Sequence, residues 1–117
     1  MLKRFLGATA IAALLTGAAE ASSCNVTEFS LLAPSGVQVA MMPPLVDQTP
    51  ITTSGTTAQS SAFSGDTKLI RAWCDTQSAI VIGANPTATT NNLPLSAGSA
   101  EYFNVIPGQK AAFILRP

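Results

Sequence analysis

Turn signals punctuate this chain about every 8 to 12 residues, and nothing after residue 23 repeats its apolar residues at helical spacing. Ala33-Pro34-Ser35-Gly36, Ser54-Gly55, Ser64-Gly65-Asp66, Asp75-Thr76-Gln77, Ser96-Ala97-Gly98 and Pro107-Gly108 separate short runs of apolar and β-branched residues. Such runs are too short for helices and suit strands with one wet face. The spacing predicts an all-β fold, a small antiparallel β-sandwich or jelly roll. With 117 residues there is room for one domain, assigned to residues 24–117, behind a separate N-terminal segment at 1–23.

Along the chain the expected strands are 26–32 and 37–42, closed into a hairpin by the 33–36 turn. Pro43-Pro44 and Pro50 then limit the next stretch to an edge or an extended connection, because proline donates no ladder hydrogen bond. Strands follow at 51–53 and 56–63. Residues 68–75 form the strongest strand, with Ile70, Ala72 and Cys74 on one face and Leu69, Arg71 and Trp73 on the other. Residues 78–82 are apolar on both faces, as a central strand would be, and the Asp75-Thr76-Gln77 turn is expected to close these two strands into a core hairpin. A polar loop at 83–92 is stiffened by Asn85-Pro86-Thr87. Short strands at 93–95, 101–106 and 110–115 complete the set. The core is expected to draw on Ile70, Ala72, Cys74, Ile80, Ile82, Phe103, Phe113 and Leu115.

Residues 1–23 read as a signal-peptide-like leader or an N-terminal arm. Lys3 and Arg4 precede an apolar stretch, and Ala19-Glu20-Ala21 offers a small-x-small cleavage pattern before Ser22. The stretch is too short and too rich in Ala and Gly to read as a membrane span. Cys24 just behind it opens a lipoprotein route, although the usual Leu is missing from Ala21-Ser22-Ser23. The other cysteine is Cys74. In an exported protein the two are expected to form one disulfide, worth about 4 kcal/mol by loop entropy. Without export Cys74 is a small buried hydrophobe and Cys24 a bystander.

Catalytic chemistry finds little to work with. There is no histidine in the chain, and histidine is the commonest neutral-pH base and metal ligand. No G-x-S-x-G elbow and no C-x-x-C is present, and a Ser–Lys pair through Lys68 or Lys110 has no signature. A glycosidase pair would need two of Glu28, Asp47, Asp66, Asp75 and Glu101 across a groove. Asp66 and Asp75 sit in turns, where Asp ordinarily bonds local backbone. No dense Asp/Asn/Gly run suggests calcium. We therefore assign no catalytic, cofactor-binding or metal-binding residues. Formal charge is zero and charged residues make up 10% of the chain, so no basic patch exists to neutralise phosphates. Trp73, Tyr102 and Phe103 could stack on a sugar, but such residues more often fill a small β-core. Asn25-Val26-Thr27 matches a glycosylation acceptor, with meaning only in a eukaryotic source.

Three stretches taken in order carry a resemblance. They are Thr52-Thr53-Ser54-Gly55-Thr56-Thr57-Ala58-Gln59-Ser60-Ser61-Ala62-Phe63, then Ile82-Gly83-Ala84-Asn85-Pro86-Thr87-Ala88-Thr89, then Leu93-Pro94-Leu95-Ser96-Ala97-Gly98 with Glu101-Tyr102-Phe103 and Pro107-Gly108. Over residues 26–116 the chain resembles small β-structured virion proteins of tailed bacteriophages and prophages, of head-decoration or fibre type. The resemblance implies a non-enzymatic virion component, a capsid decoration (cement), head-fibre or tail-associated protein. Its partners would be the major capsid or other virion proteins and copies of itself, with no nucleic acid and no membrane. The pattern brings no catalytic residues. The leader stands outside it, since phage heads assemble in the cytoplasm; an uncleaved arm clipped onto a neighbouring subunit reconciles the two. The alternative is an exported bacterial β-sandwich, periplasmic or secreted after leader cleavage, acting as an adhesion or carbohydrate-binding module.

Overall fold

The computed structural model describes residues 21–30 and 42–117. Among them there is no helix, and nine strands form two antiparallel sheets packed as a sandwich. The strands are β1 (Ser22–Phe29), β2 (Val46–Asp47), β3 (Ile51–Thr53), β4 (Ala58–Gln59), β5 (Leu69–Cys74), β6 (Ser78–Gly83), β7 (Leu93–Leu95), β8 (Ala100–Asn104) and β9 (Lys110–Leu115). The first sheet runs β2-β1-β5-β8, with β3 also paired to β1; the second runs β4-β9-β6-β7.

The all-β expectation holds, and so do the strands at 51–53, 93–95 and 110–115. Two connections differ. The Asp75-Thr76-Gln77 turn does not close a hairpin: β5 pairs with β1 and β8, whereas β6 pairs with β7 and β9. The turn instead carries the chain from one sheet to the other. Apolar side chains on facing strands of two sheets read the same in sequence as those on paired neighbours. Residues 56–63 supply only β4 as regular strand: beyond Gln59 the Ser60 N–H still bonds the Ala111 carbonyl and the Phe63 N–H the Gln109 carbonyl, but the register shifts by one residue between them and Phe63 is buried. The expected strand at 37–42 and its 33–36 turn lie outside the described residues, apart from exposed Met42. Ser22 and Ser23, placed in the leader segment by sequence, are the first residues of β1 and pair with Thr53 and Thr52.

Strand alternation builds the core. The inner face of the first sheet supplies Cys24 and Val26 from β1 and Ile70, Ala72 and Cys74 from β5. The second supplies Ile80, Leu95, Ala111 and Phe113. Phe63 enters from the 60–68 connection, and Ile51, Ile82, Phe103 and Val105 pack on the margins, partly buried. Of the expected core residues, Ile70, Ala72, Cys74, Ile80 and Phe113 are buried, while Ile82, Phe103 and Leu115 are intermediate.

Cys24 and Cys74 are directly opposed in the β1–β5 register and joined as a disulfide, with their Cα atoms 4.0 Å apart. The Asp75 N–H donates to the Ser23 carbonyl at 3.1 Å, which makes that neighbouring pair hydrogen-bonded and Cys24–Cys74 a non-hydrogen-bonded pair. Opposed residues come closest at such positions. The sulfurs need no backbone shift to meet, and both cysteines are fully buried.

Two turns demand glycine. Gly98 and Gly108 have φ of 74° and 86°, and each is the third residue of a turn closed by Ser99 N–H to Ser96 O or Gln109 N–H to Ile106 O, both 3.2 Å. Positive φ at that position strains any side chain with a Cβ, and Pro107 presets the residue before Gly108.

Ile70→Ala should lower unfolding free energy by about 2–5 kcal/mol, and Ile82→Ala by visibly less, since its side chain is only partly enclosed. Urea melts with unchanged slopes would establish both; equal losses would break the core assignment. Native protein should show no free thiol to a labelling reagent, and a Cys24→Ser/Cys74→Ser double variant should lose about 4 kcal/mol for the loop of 50 residues.

Candidate functional site

The outward face of the first sheet is the surface on which this sequence places exposed aromatic chemistry. Cross-strand register sets Asp47, Thr27, Arg71 and Tyr102 in one row and Asn25, Trp73 and Ala100 in the next. Trp73 and Tyr102 are therefore diagonal neighbours on one face, about 7–8 Å apart by strand geometry. Phe103 is not part of that platform. It alternates to the inner face and packs on the core. Thr27 Oγ1 donates to Asp47 Oδ1 at 3.2 Å, which occupies the acid of the first row. Trp73 and Arg71 are half-buried and Tyr102 is exposed. The Asn25 Oδ1 atom, in the row of Trp73, is buried without a hydrogen-bond partner among the described residues. The result is a sheet face with few charges and one aromatic fewer than the sequence suggested.

Two of the remaining acids, Asp75 and Glu28, hold the fold. Asp75 accepts from the Ser23 N–H at 3.0 Å through Oδ1 and from the Ser23 hydroxyl through Oδ2. The Ser23 N–H, chiefly, holds its carboxyl below the usual carboxylate range, with the Thr76 and Ser23 hydroxyls adding to the effect. The expected bond to local backbone is replaced by one across the sheet to β1, 52 residues away, with only the Thr76 hydroxyl bonding from within the turn. Asp66 and Glu101 are exposed.

Glu28 is the group that sequence reasoning missed. It sits on the inner face of β1 and is 1% exposed. Its Oε1 accepts from the Thr67 hydroxyl at 2.6 Å and the Ser64 N–H at 2.8 Å, and its Oε2 accepts from Gln48 Nε2 at 2.9 Å. All three donors are neutral. Gln48 in turn accepts from the Ser61 N–H at 3.0 Å and donates to the Ser61 carbonyl at 3.2 Å. One carboxylate thus ties β1 to the 45–48 segment and to the 61–67 connection. A buried carboxyl group is tolerable only with such a full set of bonds. The available signal was its alternation with Cys24 and Val26, which places it inward.

Cys24, considered for lipidation, has its sulfur in the disulfide, so that route is incompatible with this structure. The first of the three stretches singled out in the sequence is bonded to the second and to Gly108 of the third. Gln59 Nε2 donates to Asn85 Oδ1 at 2.9 Å and to the Pro86 carbonyl at 2.8 Å, and the Ala88 N–H donates to Thr57 Oγ1 at 2.8 Å. The Phe63 N–H reaches the Gln109 carbonyl at 2.8 Å, and the Gly108 N–H reaches the Phe63 carbonyl at 3.0 Å. These residues interlock the second sheet with its loops. Comparison with known families, with characterised proteins and with solved structures finds no match to the chain.

Glu28→Ala should destabilise the domain by about 1–3 kcal/mol, because it leaves the Ser64 N–H without its acceptor and takes one partner each from the Thr67 hydroxyl and Gln48 Nε2, which keep Ser64 Oγ and the Ser61 carbonyl. Glu28→Gln should cost less, retaining one acceptor while turning an amide N–H₂ against a donor. Chemical denaturation reads both, and hydrogen exchange at the Ser64 amide should accelerate in each. An unchanged Ser64 amide would remove Glu28 from its assigned role.

Proposed function

We propose that this chain is a non-enzymatic structural protein of a tailed-bacteriophage virion, most closely of capsid-decoration type. It works through contacts with major capsid subunits and with copies of itself. The observation that carries the reading is the interlocking of the three resembling stretches. Thr57 and Gln59 of the first stretch bond Ala88, Asn85 and Pro86 of the second, and Phe63 bonds Gly108 of the third as well as Gln109 beside it. A pattern used in that way specifies a shape rather than a reaction. The disposition of the acids supports the same reading, since Glu28, Asp47 and Asp75 each accept from neighbouring residues of the fold.

On this reading the outer face of the first sheet and the exposed Leu93, Tyr102 and Ile106 are contact surface. Nothing in the composition favours nucleic acid, and no membrane is involved. A decoration protein stabilises a particle by binding assembled subunits more tightly than free ones.

A second reading is favoured by one observation. The Cys24–Cys74 disulfide suits an oxidising compartment, and with the leader it fits an exported adhesion or carbohydrate-binding module using Trp73 and Tyr102. In a virion the bond would form after release from the host.

Particles lacking the protein should release their genome at lower temperature or lower ionic strength than complete ones, and adding it back should restore them. N-terminal sequencing of protein from its source should find Met1 or Leu2. Equal survival of both particles, with a chain that starts at Ser22 and binds a glycan array, would hand the case to the exported module.

A further inference from the structure

β8 closes one side of the first sheet, and among the described residues nothing pairs with its outer edge. The other sheet margins are blunted. β2 and β4 have two residues each and β3 three, Pro43-Pro44 precede β2, Pro50 lies between β2 and β3, and β7 carries Pro94. Short strands and prolines are ordinary defences against edge pairing. β8 has five residues and no proline.

The parity of the ladder gives the chemistry of that edge. Asp75 N–H bonds Ser23 O, so the odd-numbered residues of β5 face β1; Val105 N–H bonds Lys68 O at 3.0 Å, so residues 101, 103 and 105 face β5. Ala100, Tyr102 and Asn104 therefore turn their N–H and C=O groups to the open side. Side chains alternate independently of this. Glu101, Phe103 and Val105 lie on the inner face, since Glu101 opposes buried Ala72 and Phe103 opposes buried Ile70. Phe103 and Val105 are only partly buried there, Glu101 is exposed, and Lys68 is exposed beside Val105.

We propose that β8 pairs antiparallel with β8 of a second copy of this chain, about a two-fold axis at Phe103. The first sheets of the two copies then join into one. Tyr102 opposes Asn104 of the second copy in a hydrogen-bonded pair, and the two Phe103 side chains meet on the inner face. Glu101 falls opposite Val105 of the second copy, two strand spacings, about 9–10 Å, from that copy's Lys68. A lysine and a glutamate reach each other across a valine over that span. The dyad makes two such ion pairs, and a single edge supplies both charges, as an isologous contact requires. An axis at Tyr102 would also satisfy the backbone but would leave Lys68 opposite Ser99 of the second copy. Charge complementarity thus selects both the partner and the register. The inference deepens the contact-protein reading and rests on it only for the expectation that the chain self-associates.

Sedimentation equilibrium of the full chain with its disulfide intact should show a dimer. Tyr102→Pro removes an N–H from the open edge while leaving the β5–β8 bonds in place, and should give a monomer with the same circular dichroism. Glu101→Lys and Lys68→Glu should each weaken the dimer by roughly tenfold or more, and the Lys68→Glu/Glu101→Lys double variant should restore it. A chain that stays monomeric up to about 0.1 mM, a dimer indifferent to Tyr102→Pro, or a double variant as weak as the singles would overturn the proposal. A monomer that still binds particles would remove the dimer and keep the contact reading; a dimer that binds none would do the reverse.

Discussion

The register between β1 and β5 is the constraint on which the rest depends. It opposes Cys24 to Cys74, Val26 to Ala72 and Glu28 to Ile70, and so sends all six side chains into the space between the sheets. A slip of one residue would turn this set outward and bring Asn25, Thr27, Arg71 and Trp73 into the core. The disulfide forbids that slip, because only the observed register brings the sulfurs together. The covalent bond and the apolar pattern therefore specify the same pairing. This agreement matters in a small sandwich, where the core alone is modest.

Glu28 completes at the other end of β1 what the disulfide fixes near its start. The segment from Met42 to Pro50 is rich in proline and contributes only the two residues of β2 to the sheet. It is held instead by Leu45 N–H to Glu28 O and Gln48 N–H to Val26 O, with the Gln48 side chain bonded to the Glu28 carboxylate. A carboxylate offers more acceptor sites than any neutral side chain, so one residue can serve three donors from two separate connections. Without it the Ser64 N–H would lack an acceptor, while Thr67 would keep only Ser64 Oγ and Gln48 only Ser61. The cost of burying the carboxyl group is offset by the three hydrogen bonds it accepts.

Much of this was legible in the sequence where period-2 alternation and turn residues spoke together. Lys110–Leu115 and Ile51–Thr53 have the expected bounds, and the burial of Ile70, Ala72 and Cys74 against half-exposed Arg71 and Trp73 follows the expected faces. What could not be read was which sheet each strand joins. The Asp75-Thr76-Gln77 turn is as compatible with a crossover between sheets as with a hairpin, and only packing decides. Glu28 escaped because an acid in a short strand reads as surface unless its partners, 20 to 39 residues away, are known. Phe103 was grouped with Tyr102 by adjacency, although adjacent strand residues face opposite ways. The aromatic platform is smaller for that reason alone.

A fold that spends its acids internally has a consequence for how it can bind. Glu28, Asp47 and Asp75 are engaged with the fold's own donors, and the remaining exposed charges are few. Away from the Lys68–Glu101 pair, contacts made by such a surface rest on shape and on apolar side chains such as Leu93, Tyr102 and Ile106, and are little altered by salt screening. Each contact of this kind is weak. On the proposed reading, strength comes from repetition, because linked copies on a regular lattice turn later binding events into intramolecular ones. That mode of action demands a rigid module whose faces hold a fixed mutual orientation. A disulfide at one end of the central strand pair, a saturated carboxylate at the other and loops tied down through Gln59 and Thr57 supply that rigidity without enlarging the core.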